Sequence, residues 1–300
     1  MHATPLSQLA NVRRFNRTVT RRLGVLGDDY LGHGRPLAAS RLLFEIGERG
    51  ADVRELRARL ALDSGYLSRL LRSLEAQGLI ASQPAPDDAR VRRVSLTARG
   101  RREWQALDAH SQEAANALLT PLRPSQRDRL VAAMAEVERL LRAGAVTVAS
   151  ADPASAEARA CIAAYLDELD RRFEAGFDPA LGPSAEPDEL VPPKGLFLLA
   201  HLDGEAVGCA ALKIVGTDVG EIKRMWVAPS ARGLGIAQRL LDALEAQAAA
   251  MSLHTLQLDT NRSLTEARTL YQRNGYREIP PYNDNPYADH WFEKRLNSVP

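Results

Sequence analysis

The stretch EIKRMWVAPSARGLGIA, residues 221–237, decides how the second half of this chain is read. Ile222, Met225 and Val227 are apolar and suit a strand, and Pro229, with no N–H to donate, stops its ladder. Arg232, Gly233, Leu234, Gly235, Ile236 and Ala237 then open an amphipathic run in which Ile236, Leu240, Leu241 and Leu244 recur at helical spacing. Small residues at a helix start let backbone N–H groups approach an anion, the helix dipole adds partial positive charge, and Arg232 adds a full one. The result has the build of a phosphate cradle, although a tight turn holding two glycines would share the local pattern. Neither the Gly-Lys-Ser/Thr of nucleotide loops nor Gly-x-Gly-x-x-Gly is present.

Working outward, strands are expected at 196–201 and 206–215, joined by the hairpin turn Asp203-Gly204, with a third at 219–228. The helix after the loop should end near Met251, and Leu253, Leu256 and Leu258 alternate as in a further strand. Residues 263–274 read as a helix closed by Gly275, followed by strands at 276–279 and 290–296. Upstream, Asp152 or Ser155 begins a helix carrying Ile162, Leu166, Leu169 and Phe173, and the loop 176–195 is rich in Pro, Gly and acid. Loops of that length are often functional, with disorder as the alternative. These elements predict an α+β domain around a mixed, largely antiparallel sheet.

Arg232-x-x-Gly235-x-Ala237 resembles the acyl-CoA pyrophosphate loop of the GNAT N-acetyltransferases, and Leu270-Tyr271-x-x-x-Gly275-Tyr276 matches that family's second signature. The resemblance covers residues 145–300. It implies transfer of an acetyl group from acetyl-CoA to an amine, with residues 232–237 and Asn261 on the cofactor. A backbone N–H of Trp226 or Val227 would face the carbonyl oxygen, Tyr271 would be the general acid and Glu221 the general base. A glutamate at a strand start can equally be a solvated or ion-paired group, with Lys223 and Arg224 close by. By the same resemblance the acceptor site is lined by Arg171, Arg172, Phe173 and Phe177, and by the loop 280–287 with Tyr282 and Asn283. Arginines near aromatics would suit a small, amino-acid-like amine.

The N-terminal half reads differently. Residues 5–31 read as a helix, with apolar positions at intervals of three and four, and further helices are expected at 37–46, 53–60 (capped by Asp52) and from Asp63 or Ser64 to Gly78. The last two form a helix-turn-helix whose outer face carries Ser64, Tyr66, Ser68, Arg69 and Arg72, groups able to bond base edges or phosphates or simply to be solvated. Two strands around residues 83–90 make a hairpin wing with Arg90, Arg92 and Arg93 near its tip, and long helices follow to Leu119 and over 125–142. The segments LDSGYLSRLLRSLEAQGLI (62–80) and DDARVRRVSLTARG (87–100) resemble the MarR family of winged-helix repressors over residues 5–143. That resemblance implies a mostly α, winged helix-turn-helix domain bound to double-stranded DNA as a homodimer, with Arg90 in the minor groove held by Asp88. Dimerisation has a second basis: the apolar stripes of the first and last helices exceed what one small winged helix could cover.

Composition agrees with two domains, 1–143 and 144–300, joined without a flexible linker. The net charge of +1 hides an asymmetry, since residues 1–143 hold 24 arginines, no lysine and 16 acidic residues. An excess of one sign in one half points to nucleic acid. Cys161 and Cys209 have no metal-type spacing, the histidines are scattered, and neither a signal peptide nor an apolar run of spanning length is seen, so no metal, no membrane and a cytoplasmic setting are expected. Three readings stay open: a bifunctional regulator and N-acetyltransferase, a regulator whose second domain only senses acetyl-CoA or an amine, and an enzyme that keeps the first domain for dimerisation.

Overall fold

The computed structural model describes residues 5–22, 30, 34–84, 92–183 and 185–296. The chain divides into two compact units, Met1–Ala133 and Met134–Pro300.

The first unit contains α1 (Leu6–Arg22), α2 (Leu37–Ile46), β1 (Ala51–Asp52), α3 (Val53–Leu60), α4 (Ser64–Ala76), β2 (Ile80–Pro84), β3 (Arg92–Leu96) and α5 (Ala98–Leu119). The strands form an antiparallel sheet in the order β1-β3-β2. Its core joins Leu42, Leu43 and Ile46 of α2 to Leu56 of α3, to Leu67, Leu71 and Leu74 of α4, and to Val94 of the wing. Asp63 caps α4 by accepting from the Tyr66 N–H, and Thr97 caps α5 by accepting from the Gly100 N–H. Gly100 is needed for space, because a Cβ there would lie 1.8 Å from the Leu79 carbonyl oxygen. Asp52 precedes α3 without a side-chain cap bond, and its carboxylate instead accepts from Arg93 at 3.4 Å.

Helix α6 (Pro124–Ala145) runs through the point of division, so its second half belongs with the second unit. Neither α1 nor α6 buries a residue. Leu6, Leu9, Val12 and Phe15 of α1, and Val131, Met134, Leu140 and Leu141 of α6, are exposed.

The second unit continues with β4 (Thr147–Ser150), α7 (Ala156–Arg172), β5 (Gly195–Leu202), β6 (Glu205–Ile214), β7 (Val219–Val227), α8 (Ile236–Ala250), β8 (Thr255–Thr260), α9 (Thr265–Arg273), β9 (Arg277–Ile279) and β10 (His290–Arg295). They form one sheet in the order β4-β5-β6-β7-β8-β10-β9, antiparallel except for β7 and β8. Alternation along β5 builds two cores. Leu196, Leu198, Ala200 and Leu202 face the cluster containing Leu240, Leu241 and Leu244 of α8. Phe197 and Leu199 face the cluster containing Ala158 and Cys161 of α7. Both cysteines are free and buried. Among the described residues no helix is long and apolar enough to cross a membrane.

Candidate active site and nucleic-acid interface

The centre of the second unit is where β7 leaves its neighbours. On one side β7 pairs with β6 through Cys209↔Trp226 and then Ala211↔Lys223, so Arg224 and Met225 together face Ala210. That two-against-one count is a β-bulge. Arg224 sits in it at φ 54°, a left-handed conformation that favours glycine. On the other side β7 pairs with β8 only from Val219 to Glu221. Beyond Glu221 the two parallel strands part, and two cavities open there. One, of about 470 Å³, runs along the 232–238 loop; the other, of about 130 Å³, lies under the 177–183 and 285–287 loops. Tyr165, Leu169, Met225, Leu264 and Ala267 line both, so the cavities adjoin at Met225.

The larger cleft has the features of an anion site. Gly233 and Gly235 lie at φ 78° and 75°, and a Cβ at either would meet nothing within 4 Å. The glycines are therefore required by backbone conformation, and the space beside them is open. Gly235 is the N-cap of α8, so the first-turn amides of that helix face this space with the positive end of its dipole. Val227, Arg232, Ile236 and Ala237 line the cleft with these glycines, whereas Leu234 is buried in the core. The Arg232 guanidinium is turned inward. Its Nε donates to the Val227 carbonyl at 3.1 Å, and its Nη2 donates to both oxygens of Glu168 at 2.7 and 2.6 Å. Glu168 also accepts from Trp226 Nε1 at 2.9 Å and from Arg172 Nη1 at 3.3 Å. Burial pushes the Glu168 carboxyl up, but the Arg232, Trp226 and Arg172 donors outweigh it and hold it below the usual range. From α6, Arg139 Nη1 donates to the Gly233 carbonyl at 3.0 Å.

The smaller cavity is walled by Phe173, Phe177 and Tyr287, whose ring centroids lie 4.8–5.8 Å apart. The buried Tyr271 lines it together with Tyr165, and burial raises both phenols well above the usual tyrosine value. Asp259 also faces it, accepting from Asn283 Nδ2 at 2.8 Å and Asn285 Nδ2 at 2.9 Å. Glu221 lines neither cavity. It is buried, paired with Lys223 at 2.9 Å, and it accepts from the Tyr282 hydroxyl at 2.9 Å and from Asn283 at 3.4 Å. Asn261 borders this cavity rather than the cleft, and its side chain is spent on the Tyr287 carbonyl and the Ser263 N–H.

Arg171 and Arg172 do not serve the smaller cavity. Arg171 is exposed, with its Nε donating to the Asp167 carbonyl, while Arg172 lies in the larger cleft against Glu168 and Glu266. Sequence reasoning missed Glu168, Tyr165, Arg224 and Asp259. The readable sign was at Arg224, where the strand alternation of IKRMWV slips by one residue, as a bulge requires.

In the first unit, Ser64, Ser68, Arg69 and Arg72 are exposed on the outer face of α4 and Tyr66 is half-buried there. The Arg69 guanidinium lies 5.7 Å from the Tyr66 ring centroid, and Arg72 Nε donates to the Ser68 carbonyl at 3.3 Å. Arg92 pairs with Glu75 at 3.0 Å and Arg93 with Asp52, so both wing arginines are held by the unit itself. Asp88 and Arg90 lie outside the described residues.

Comparison with known proteins agrees with this division. The family model for the "Acetyltransferase (GNAT) family" matches residues 162–276, and that for the "MarR family" matches residues 33–91. An IAA acetyltransferase of Azospirillum brasilense is 34% identical over 124 residues, covering 41% of this chain and 80% of that protein. An uncharacterized N-acetyltransferase of Schizosaccharomyces pombe is 33% identical over 126 residues, covering 41% and 76%. A GNAT acetyltransferase from Elizabethkingia anophelis, solved with acetyl-CoA bound, superposes with TM-score 0.37 at 20% identity, covering 51% of this chain and 99% of that one.

Proposed function

Because the chain belongs to the GNAT acetyltransferase family and carries a MarR-family domain in the same polypeptide, we propose that it is a bifunctional protein, a DNA-binding regulator and an acetyl-CoA-dependent N-acetyltransferase of a small amine. Residues 1–143 would bind double-stranded DNA as a homodimer, and residues 144–300 would transfer the acetyl group. The observation that carries the enzymatic half is the meeting of the two cavities at Met225, beside the edge where β7 and β8 part.

The larger cleft fits acetyl-CoA. The open space beside Gly233 and Gly235 and the amides at the start of α8 suit a pyrophosphate, and the Trp226 and Val227 backbone lies next to the shared wall. Acetyl-CoA supplies an activated thioester carbonyl. The neutral amine attacks that carbon from the smaller cavity, the C–S bond breaks, and the oxyanion takes a backbone N–H of β7. The leaving thiolate takes a proton from Tyr271, whose burial keeps the phenol protonated, and the proton shed by the newly acylated nitrogen restores the phenol. An amine arriving as ammonium first gives up one proton, so each turnover releases one. Glu221 reaches the cavity only through Lys223 and the Tyr282–Asn283 loop, which makes it a positioning residue.

For the first unit, the exposed Arg69 and Arg72 of α4 support DNA contact, and the uncovered apolar residues of α1 and α6 support self-association. A thiol-release assay paired with a salt-dependent gel shift tests both halves. Release of CoA thiol that depends on added amine, and DNA binding that weakens steeply with salt, are expected. Absence of amine-dependent release would leave a regulator that only senses.

A further inference from the structure

The wall of the smaller cavity carries a cation, Arg224, that has no carboxylate partner among the described residues. Among the described residues, three neighbouring cations have carboxylate partners. Lys223 lies 2.9 Å from Glu221 and 3.6 Å from Asp259, Arg232 is held by Glu168, and Arg172 by Glu168 and Glu266. Arg224, on the cavity wall and half-buried, has no ion pair among them. Among the described residues its side chain makes one hydrogen bond, from Nη2 to the Ala185 carbonyl at 2.5 Å. A guanidinium has five N–H donors, so most remain to be satisfied. A half-buried, unpaired cation is costly unless something anionic reaches it.

The backbone gives a second, independent sign. Arg224 occupies a left-handed conformation in the bulge, where glycine would be unstrained. Strain of this kind persists where the surroundings enforce it, and bulges commonly re-aim a side chain beside a site. Here the result is an arginine in a cavity that also contains a carboxylate, Asp259. At about 130 Å³ the cavity is close in size to the ~150 Å³ space that accepts a benzene ring.

We infer that Arg224 anchors the carboxylate of the acceptor, and that the acceptor is a compact amine bearing its own carboxylate, of the α-amino-acid class, with a small uncharged side group. Asp259 receives the ammonium end before its proton is lost. Phe173, Phe177 and Tyr287 cover the side group. A polyamine would bring further positive charge against Arg224, and a polypeptide amine lacks the adjacent carboxylate. This inference rests on the acetyl-transfer reading for the role of the amine, but the carboxylate anchor can be tested without turnover.

The test uses the full-length protein and matched pairs of ligands: an amino acid and the amine left when its carboxylate is removed. Calorimetry reads binding and thiol release reads turnover, for wild type, R224K and R224G. Glycine suits the φ of this position, so R224G should fold, which circular dichroism checks. Wild type should bind one or more small amino acids and discriminate about 10- to 100-fold against the decarboxylated partner, the range of a charged hydrogen bond. R224G should lose that discrimination with acetyl-CoA affinity unchanged, and R224K should recover part of it. Equal use of both partners by wild type, no amino-acid binding at all, or discrimination that survives in R224G would overturn the inference. Arg224-dependent binding without thiol release would uphold the anchor and overturn acetyl transfer. Thiol release without discrimination would do the reverse.

Discussion

Replacing Glu168 with glutamine should weaken acetyl-CoA binding about tenfold while leaving the protein folded. Three donors converge on this carboxylate: Arg232 Nη2 at 2.6 Å, Trp226 Nε1 at 2.9 Å and Arg172 Nη1 at 3.3 Å. Glutamine keeps the size and one acceptor oxygen, so the indole bond can persist, but the ion pair with Arg232 is lost. A hydrogen bond to a charged group contributes ~1.5–3 kcal/mol, and an exposed ion pair only ~0.2–1 kcal/mol. The Arg232 side chain is 43% accessible, which discounts its share to roughly 1.5 kcal/mol. Arg232 ties the glycine loop to Val227 and α7, so a loosened loop must be ordered on binding, and about 1.4 kcal/mol is a factor of ten in Kd. The sign with pH also follows. A carboxylate held below its unfolded value contributes fully above about 4.3 and loses that contribution only as pH falls through the folded value. Wild type and E168Q should therefore differ by a constant factor across the neutral range and converge only in acid. Titration followed by calorimetry or by Trp226 fluorescence measures this. Equal affinities, or tighter binding by E168Q, would refute the reasoning, because Glu168 would then be opposing the anion rather than holding the loop.

Tyr271→Phe should lower kcat about 100-fold or more with acetyl-CoA affinity within about twofold, and its wild-type alkaline limb should lie above the ordinary tyrosine value of ~10, because burial raises the phenol. Steady-state kinetics across pH check both, and unchanged turnover removes Tyr271 as the acid. Gly235→Ala forces a side chain into φ 75° with no steric clash, so about 1 kcal/mol of stability should be lost through backbone strain alone, read as a small drop in Tm. Arg72→Ala should weaken DNA binding and, if the contact is to phosphate, lower the slope of log K against log salt by about one; an unchanged slope and affinity would take Arg72 off the DNA.

Legibility in the sequence tracked how local each signal was. Helices α2 and α3 were expected at 37–46 and 53–60 and occur there, since their apolar positions and boundaries lie within one short segment. Gly78 and Gly275, chosen as helix ends, are left-handed at φ 66° and 84°. The loop 232–237 was readable because its glycines are demanded by backbone conformation. The side-chain partners were not. Glu168 looks like any acid near the end of a helix until α7 is laid against β7, where it meets Arg232, 64 positions away. Arg171 and Arg172 looked suited to an acceptor because they are adjacent to Phe173, yet helical geometry turns adjacent residues about 100° apart, and neither reaches the smaller cavity.

The position of Glu221 shows what the buried polar network beneath the acceptor cavity does. Glu221, Lys223 and Asp259 together carry two negative charges and one positive, in side chains 8%, 13% and 10% accessible. Such a group is tolerable only if its remaining capacity is satisfied, and the 282–285 loop does this with the Tyr282 hydroxyl and the Asn283 and Asn285 amides. The same loop is extended by Asn285 accepting from the Tyr287 N–H, and the Tyr287 hydroxyl accepts from the Asp178 N–H in the facing loop. The carboxylates thus fix one wall of the cavity, and that wall fixes the other. Removing the Glu221 charge would leave Lys223 to Asp259, drawing the ammonium toward the carboxylate that faces the cavity. Amine binding should suffer before acetyl-CoA binding does, whereas a general base at Glu221 would show as a loss of kcat with amine affinity intact.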